Sequence, residues 1–278
     1  MMHRNRSILS IVLLCVMSLQ SHAGGKILAT PGVSQLEGAG GGGIVPWAQL
    51  AGYATEDEIA ASGFCSRVKV DDFSLNACGA QANFYDRLEV SYAQQSFYVN
   101  PLDTYLKQSI AGAKLRLYGD VVYSSLPQIS LGIQAKKLDT SDIAFALGAE
   151  KDSGTDVYLA MSKLHLGVVD GYNWLWNMTA RRTEANQMGL LGFGGSGNRP
   201  SLQFEASTAL LVDRHLAIGF EFRQKPDNLN IGESHWRDIF VAWFPNKHFS
   251  TTVAYVDLGN IAGINNQTGW YWSLMGNF

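Results

Sequence analysis

Eight charged side chains in this chain share one habit: each stands at an alternate position in a run of otherwise apolar residues. Glu89 lies between Leu88 and Val90, and Lys114 and Arg116 alternate with Ala113, Leu115 and Leu117. Gln134 and Lys136 alternate with Ile133 and Ala135, Glu205 falls between Phe204 and Ala206, and Glu221 and Arg223 alternate with Phe220 and Phe222. Arg181 stands in the run 172–185. In an extended strand a period of two sends such charges to one face and their apolar neighbours to the other. A ring of these residues around water would sort solutes by charge, as pore linings do. They could instead pair with one another and fill a narrow interior. Their mixed signs favour neither anions nor cations.

After the first residues two cysteines remain, Cys65 and Cys78, flanking a hairpin tipped by Asp71-Asp72. Each is equally far from the tip, so the two face one another, and the same register sets Val68 against Leu75 and Arg67 against Asn76. An oxidising compartment then permits a disulfide, which we prefer to two free thiols. No histidine or third cysteine lies nearby to suggest a metal or redox site. His165, His215, His235 and His248 read as turn or interfacial side chains. A lipid hydrolase would need Ser, His and Asn or Asp held together, and no motif singles out a serine. Gly40 to Gly43 precede Pro46-Trp47 rather than Lys-Ser/Thr and a helix, so they form no nucleotide loop. No catalytic residue, metal or cofactor is expected.

The elements that must hold these residues are strands. Period-two runs are predicted near 58–70, 73–84, 87–99, 108–118, 127–137, 155–168, 172–185, 200–212, 214–225, 235–244, 249–258 and 268–278, an even number of about twelve. The runs 64–70 and 73–75 belong to the set, with Phe64, Ser66, Val68 and Val70 on the greasy face and Arg67 and Lys69 with the cysteines on the wet one. Connections at 85–86, 169–171, 213 and 245–248 are short, whereas 100–107, 138–154, 186–199, 226–234 and 259–267 are long. Such alternation suits a barrel with brief turns at one end and larger loops at the other. Pro101, Pro226 and Pro245 fall in connections and Pro127 and Pro200 at strand starts, where a missing N–H costs no ladder bond.

Charged residues make up only 16% of the chain, below the ~25% of soluble domains, while 29 glycines and 11% aromatics are high. A wall between hydrocarbon and water would have this composition. A net charge of −3 gives no reason to expect nucleic acid. Residues 1–23 read as a signal peptide: Arg4 and Arg6, an apolar stretch from Ser7 to Leu19, then Ser21-His22-Ala23 as the cleavage site. Segment 24–57 is glycine-rich and could enter the lumen as a plug; the alternative reads 44–53 as a further strand, which makes the count odd. The barrel proper is 58–278. Trp270, Trp272, Leu274, Gly276 and Phe278 share one face of the final strand, whose terminal Phe resembles the signal read by the barrel-assembly machinery.

Several stretches are similar to a proteobacterial family of uncharacterised outer-membrane-type β-barrel proteins. They are Gly24-Gly25-Lys26-Ile27-Leu28, the glycines near Pro46-Trp47, Val70-Asp71-Asp72, Gly189-Leu190-Leu191-Gly192-Phe193-Gly194-Gly195, Lys225-Pro226-Asp227-Asn228, and Val241-Ala242-Trp243-Phe244-Pro245-Asn246-Lys247-His248 with Ala254-Tyr255-Val256-Asp257-Leu258-Gly259-Asn260. The resemblance spans nearly all of the mature chain. It implies an envelope location and carries no catalytic residues with it.

The expected molecule is therefore all-β: an antiparallel transmembrane barrel of about twelve strands in the bacterial outer membrane, in contact with its lipids. Its expected role is a porin-like passive channel for small polar solutes. The alternatives are a closed structural or interaction barrel and, further off, a lipid hydrolase. The glycine loops near 192–197 and 259–263 are the expected sites of external contact.

Overall fold

The computed structural model describes residues 25–195 and 200–278, so the predicted signal peptide and part of the 186–199 loop lie outside the described residues. Twelve described strands close into one antiparallel barrel: β1 (Ile59–Val70), β2 (Phe73–Phe84), β3 (Leu88–Val99), β4 (Thr104–Tyr118), β5 (Gln128–Leu138), β6 (Ser153–Val169), β7 (Tyr172–Thr183), β8 (Ser201–Leu211), β9 (Leu216–Arg223), β10 (Trp236–Asn246), β11 (Phe249–Asp257) and β12 (Thr268–Asn277). Each strand pairs with its neighbours in the chain, and β12 returns to β1 from Gly269 opposite Val70 to Asn277 opposite Ser62. Closure satisfies every ladder and leaves no edge, which is what a backbone in hydrocarbon requires.

The predicted strands are present, with differences at their ends. β4 starts at Thr104 rather than 108, because Pro101 sits in a 3-10 turn whose last residue, Asp103, has a left-handed φ of 46° and redirects the chain into the ladder. Pro245 lies inside β10, not in a connection, at a register shift between Trp243 and Asn246, where an absent N–H is tolerated. Segment 44–53 is not a strand. Among the described residues before β1, a two-residue ladder, Val33–Ser34 against Gly40–Gly41, and a single bridge between Gly41 and Pro46 form. Three connections depart from the short–long alternation: 71–72 and 100–103 are brief at the long-loop end, the latter expected to be long as 100–107, and 119–127 is extended at the other.

Burial is inverted relative to a soluble protein. Phe204, Phe220, Ile239 and Trp272 face outward and are exposed, Ile239 by 63%, while Glu205, Glu221, Arg181 and Asp156 are buried inside. Large apolar side chains point outward where hydrocarbon would be their solvent, and charges point inward. Tyr85, Tyr118, Tyr172 and Trp174 gather near the short-turn end, as an interfacial aromatic girdle would.

The β1–β2 hairpin reverses the expected orientation. Phe64, Val68, Val70, Phe73 and Leu75 are buried in the interior, and Cys65, Arg67, Lys69, Asn76 and Cys78 face out. The expected register holds, with Cys65 opposite Cys78, Val68 opposite Leu75 and Arg67 opposite Asn76. The two cysteines form a disulfide with Cα atoms 4.1 Å apart. The greasy face points inward here because apolar partners wait there: Leu36, Met188 and Leu190 lie in the same cluster as Val68, Phe73, Leu75 and Phe97.

Those partners belong to two segments that enter the barrel. Residues 29–54 are buried throughout, and so are 185–195 from the β7–β8 connection. The first precedes β1 at the short-turn end, and the second comes from the long-loop end. Gly192 to Gly195 are thus buried rather than presented outside, contrary to the expected external loop, because Phe193 and Leu191 find an apolar site within. In the other expected contact loop, Ile261 is fully buried, anchoring 259–263 to the same cluster.

Candidate functional site in the barrel lumen

A segment without secondary structure must still satisfy its backbone polar groups. Here the wall does so with inward side chains. Gly40 N–H and Ala51 N–H donate to the two oxygens of Glu89 at 3.0 and 2.7 Å, and Ile44 N–H donates to Glu221 at 2.9 Å. Ala48 N–H donates to Ser162, while its carbonyl accepts from Gln128 at 2.7 Å and Ser130 at 2.6 Å. Pro46 carbonyl accepts from Thr179 at 2.8 Å, and the Trp47 indole donates to Ser207 at 2.9 Å. Glycine makes this approach possible. A Cβ on Gly40 would lie 2.8 Å from the Ala51 nitrogen and 2.9 Å from Glu89, and one on Gly42 would overlap the Glu221 carboxylate.

Lys114 completes the first node. Its ammonium donates to the carbonyls of Gly40 (2.8 Å) and Gln49 (2.6 Å) and lies 3.2 Å from Glu89. β3 and β4 pair Glu89 with Lys114 directly, so this ion pair is fixed by register.

The second node is a buried charge cluster. Glu37 is ion-paired with Lys136, with Arg223 at 2.8 Å and with Arg181 at 3.5 Å. Arg181 also reaches Glu205 at 2.5 Å and Asp156 at 3.2 Å, and Lys136 meets Asp156 at 2.6 Å. The wall contributes three cations, Lys136, Arg181 and Arg223, against two carboxylates, Asp156 and Glu205. Glu37, from the inserted segment, evens the charge. Burial alone would raise the Glu37 carboxyl, yet Arg223, Lys136 and Arg181 hold it well below the usual carboxylate range. Arg181 further stacks over the Tyr158 ring at 5.1 Å.

Of the charged residues singled out in the sequence, the fold brings Lys136, Arg181, Glu205 and Arg223 into one cluster and Glu89 with Lys114 into another. Glu221 stands apart, accepting from Ile44 and from Ser207 at 2.6 Å. Arg116 is elsewhere: it is partly buried at the short-turn end, paired with Asp86 and at 3.3 Å with Asp120. Phe278 is half exposed, and its N–H donates to Ala61 at 2.8 Å beside the β12–β1 seam. Sequence reasoning missed Glu37 and Asp156. Glu37 had a signal, being the sole charge between Lys26 and Glu56. Asp156 had one too, alternating with Val157 and Leu159 on the face of Tyr158 and Ser162.

The filled interior leaves little space. Cavities beside the inserted segments measure about 20 Å³ near Arg181 and Arg223 and about 40 Å³ near Gln49 and Asp86, room for one or a few waters. Among the described residues no serine hydroxyl hydrogen-bonds a histidine: His165 accepts from Trp176, and His215 and His248 contact backbone carbonyls.

A closed barrel with an apolar exterior and a polar, filled lumen defines a transmembrane β-barrel. Within that class, the chain belongs to the family described as Protein of unknown function (DUF3034), whose model matches residues 30–275. No curated protein matches it. Among solved structures it is similar in fold to the KdgM porin, with a TM-score of 0.50 at 10% identity over 79% of this chain and 99% of that one. The NanC porin gives 0.48 at 7% identity, over 80% of this chain and 99% of that one. The Acinetobacter baumannii outer membrane protein Omp33 gives 0.42 at 12% identity, over 80% and 98%.

Proposed function

We propose that this protein is an outer-membrane β-barrel of the bacterial envelope whose lumen residues 25–57 hold shut, and that small polar solutes cross it only when this segment moves. The observation behind this reading is Glu37, seated among Lys136, Arg181 and Arg223 on a segment that the wall also holds through many of its backbone groups. Withdrawing the segment would leave Lys136, Arg181 and Arg223 facing Asp156 and Glu205 in a lumen of mixed sign, with Glu89, Glu221 and Asp238 also inward, and would open a path for small polar solutes. A second reading, a permanently closed interaction barrel, draws support from 185–195, which fill the lumen from the opposite end. In either case outer-membrane lipids would surround the apolar band, the assembly machinery would read the strand ending in Phe278, and no enzymatic step is assigned.

Planar-bilayer recording separates the two. Intact protein should be silent, and protein lacking residues 25–57 should conduct. Steady porin-scale conductance by the intact protein would contradict closure. Silence of the shortened barrel, shown to be folded by heat-modifiable migration, would favour the permanently closed form.

A further inference from the structure

The outer surface is not uniformly apolar. Near the long-loop end of β1 to β7 the outward positions turn polar and basic, with Arg67 and Lys69 on β1, Lys107 on β4, Lys137 on β5 and Arg182 on β7, all exposed. Each lies within four residues of its strand's long-loop end, and no strand carboxylate faces outward among them: Glu89 and Asp156 point inward. The ion pairs of the described residues use none of these five cations; Lys151 beside them is taken by Glu184 at 2.9 Å.

Below Lys137 the outer surface is recessed. An outward-facing groove of about 700 Å³ is lined by Tyr92, Ser109, Ala111, Ala135, Gly154 and Thr155, with Lys137 and Arg182 and the Lys151–Glu184 ion pair at its rim. Its floor is small because three adjacent strands align small residues, Ala111 opposite Ala135 and Ala135 opposite Thr155, with Tyr92 opposite Ala111 at the edge. Tyr92 makes one wall, its hydroxyl donating to Ser109 and accepting from Gln94. Down each strand the chemistry grades in one direction. On β5 the outward order is Lys137, Ala135, Ile133, Leu131, and on β7 it is Arg182, Ala180, Met178. Cation, small residue, then hydrocarbon contact is the order of a lipid's phosphate, its linker and its acyl chains.

We propose that this face binds a phosphorylated, multiply acylated lipid of the outer leaflet, its phosphates between Lys107, Lys137 and Arg182 and an acyl chain in the groove. Charge complementarity selects the headgroup, and the small-residue floor selects the chain. The inference rests on the outer-membrane reading, while being independent of whether the lumen opens.

The test is titration of the whole purified barrel in neutral detergent with bisphosphorylated lipid A, read by native mass spectrometry. The comparison probes are the same lipid dephosphorylated, phosphatidylethanolamine and inorganic phosphate as competitor. Lipid A should bind at least tenfold more tightly than the dephosphorylated lipid or the zwitterionic phosphatidylethanolamine. The combined Lys107→Gln, Lys137→Gln and Arg182→Gln variant should lose at least tenfold, and Arg237→Gln, on the opposite side and paired with Asp257 at 2.7 Å, should not change binding. Equal binding of the dephosphorylated lipid, displacement by low-millimolar phosphate, or full binding by the triple variant would each overturn the proposal. So would lipid-independent self-association that the triple variant abolishes, which would assign the face to a second copy. Insertion of the protein into lipid vesicles is checked in parallel: failure there removes the outer-membrane reading along with this inference, whereas insertion with unchanged lipid binding removes this inference alone.

Discussion

Across β8 to β10 the wall shows hydrocarbon-facing Phe204, Phe220, Ile239 and Val241 outside and Glu205, Glu221 and Asp238 inside. At the long-loop ends of β1 to β4 the order is reversed, with Arg67, Asn76, Gln94 and Lys107 outside and Val68, Leu75, Phe97 and Leu106 inside. Both regions obey the same period of two. The difference teaches that alternation fixes only that two faces are unlike. What each face meets decides which one turns in. Inside β8 and β9 the partner is the charged cluster around Glu37. Inside β1 to β3 it is Leu36, Met188 and Leu190, and outside lies a medium polar enough for guanidinium and amide groups.

The largest expected effect contrasts arginines on the two sides of the wall. Arg181→Met leaves Glu205 and Asp156 short of a partner in a buried site and should destabilise the barrel by about 3–5 kcal/mol. Arg67→Met, exposed, should change stability by no more than about 0.5 kcal/mol. Urea unfolding in lipid vesicles measures both, and equal losses would erase the contrast. Next, Phe220→Arg on the hydrocarbon face should cost about 2–4 kcal/mol, whereas Gln94→Arg on the polar face should cost about 0–1 kcal/mol. A similar penalty at both positions would mean that β3 is as deeply immersed as β9.

The smallest effect concerns pH. The Glu37 carboxyl is held below its ordinary range, so its contribution is complete above the unfolded value of about 4 and is lost as pH falls through the lower folded value. Hydrogen exchange of residues 29–54 should be constant between pH 8 and 5 and quicken only in stronger acid. Glu37→Gln should loosen the segment at every pH and flatten the profile. Loosening of the unsubstituted protein between pH 7 and 5 would point to a different titrating group.

Much of the barrel was legible in the sequence because strands, turns and loop lengths are local. Runs such as Ile129 to Ala135 state their period outright, and Cys65 with Cys78 follow from counting outward from Asp71-Asp72. The lumen was less legible. Four of the cluster's charged residues could be picked out from their alternation, but Glu37 sits in a glycine-rich stretch whose placement depends on contacts with strands more than a hundred residues away. The inverted hairpin was hidden for a related reason. Val68 and Leu75 are written as a greasy face, and nothing local tells whether oil lies outside or a folded-in loop lies within. The inward turn of 185–195 was likewise opaque, since Leu190, Leu191 and Phe193 match no periodic pattern.

The seam between β12 and β1 has a consequence for how the molecule is made. It joins strands about two hundred positions apart, so the ring stays open until the last strand in chain order arrives. By then residues 29–54, which precede every strand, are already present, and their hydrogen-bond partners are spread over strands on all sides. Strands that gather around this segment find inward hydrogen-bond partners waiting for them. Closing the seam then shuts the segment inside the ring.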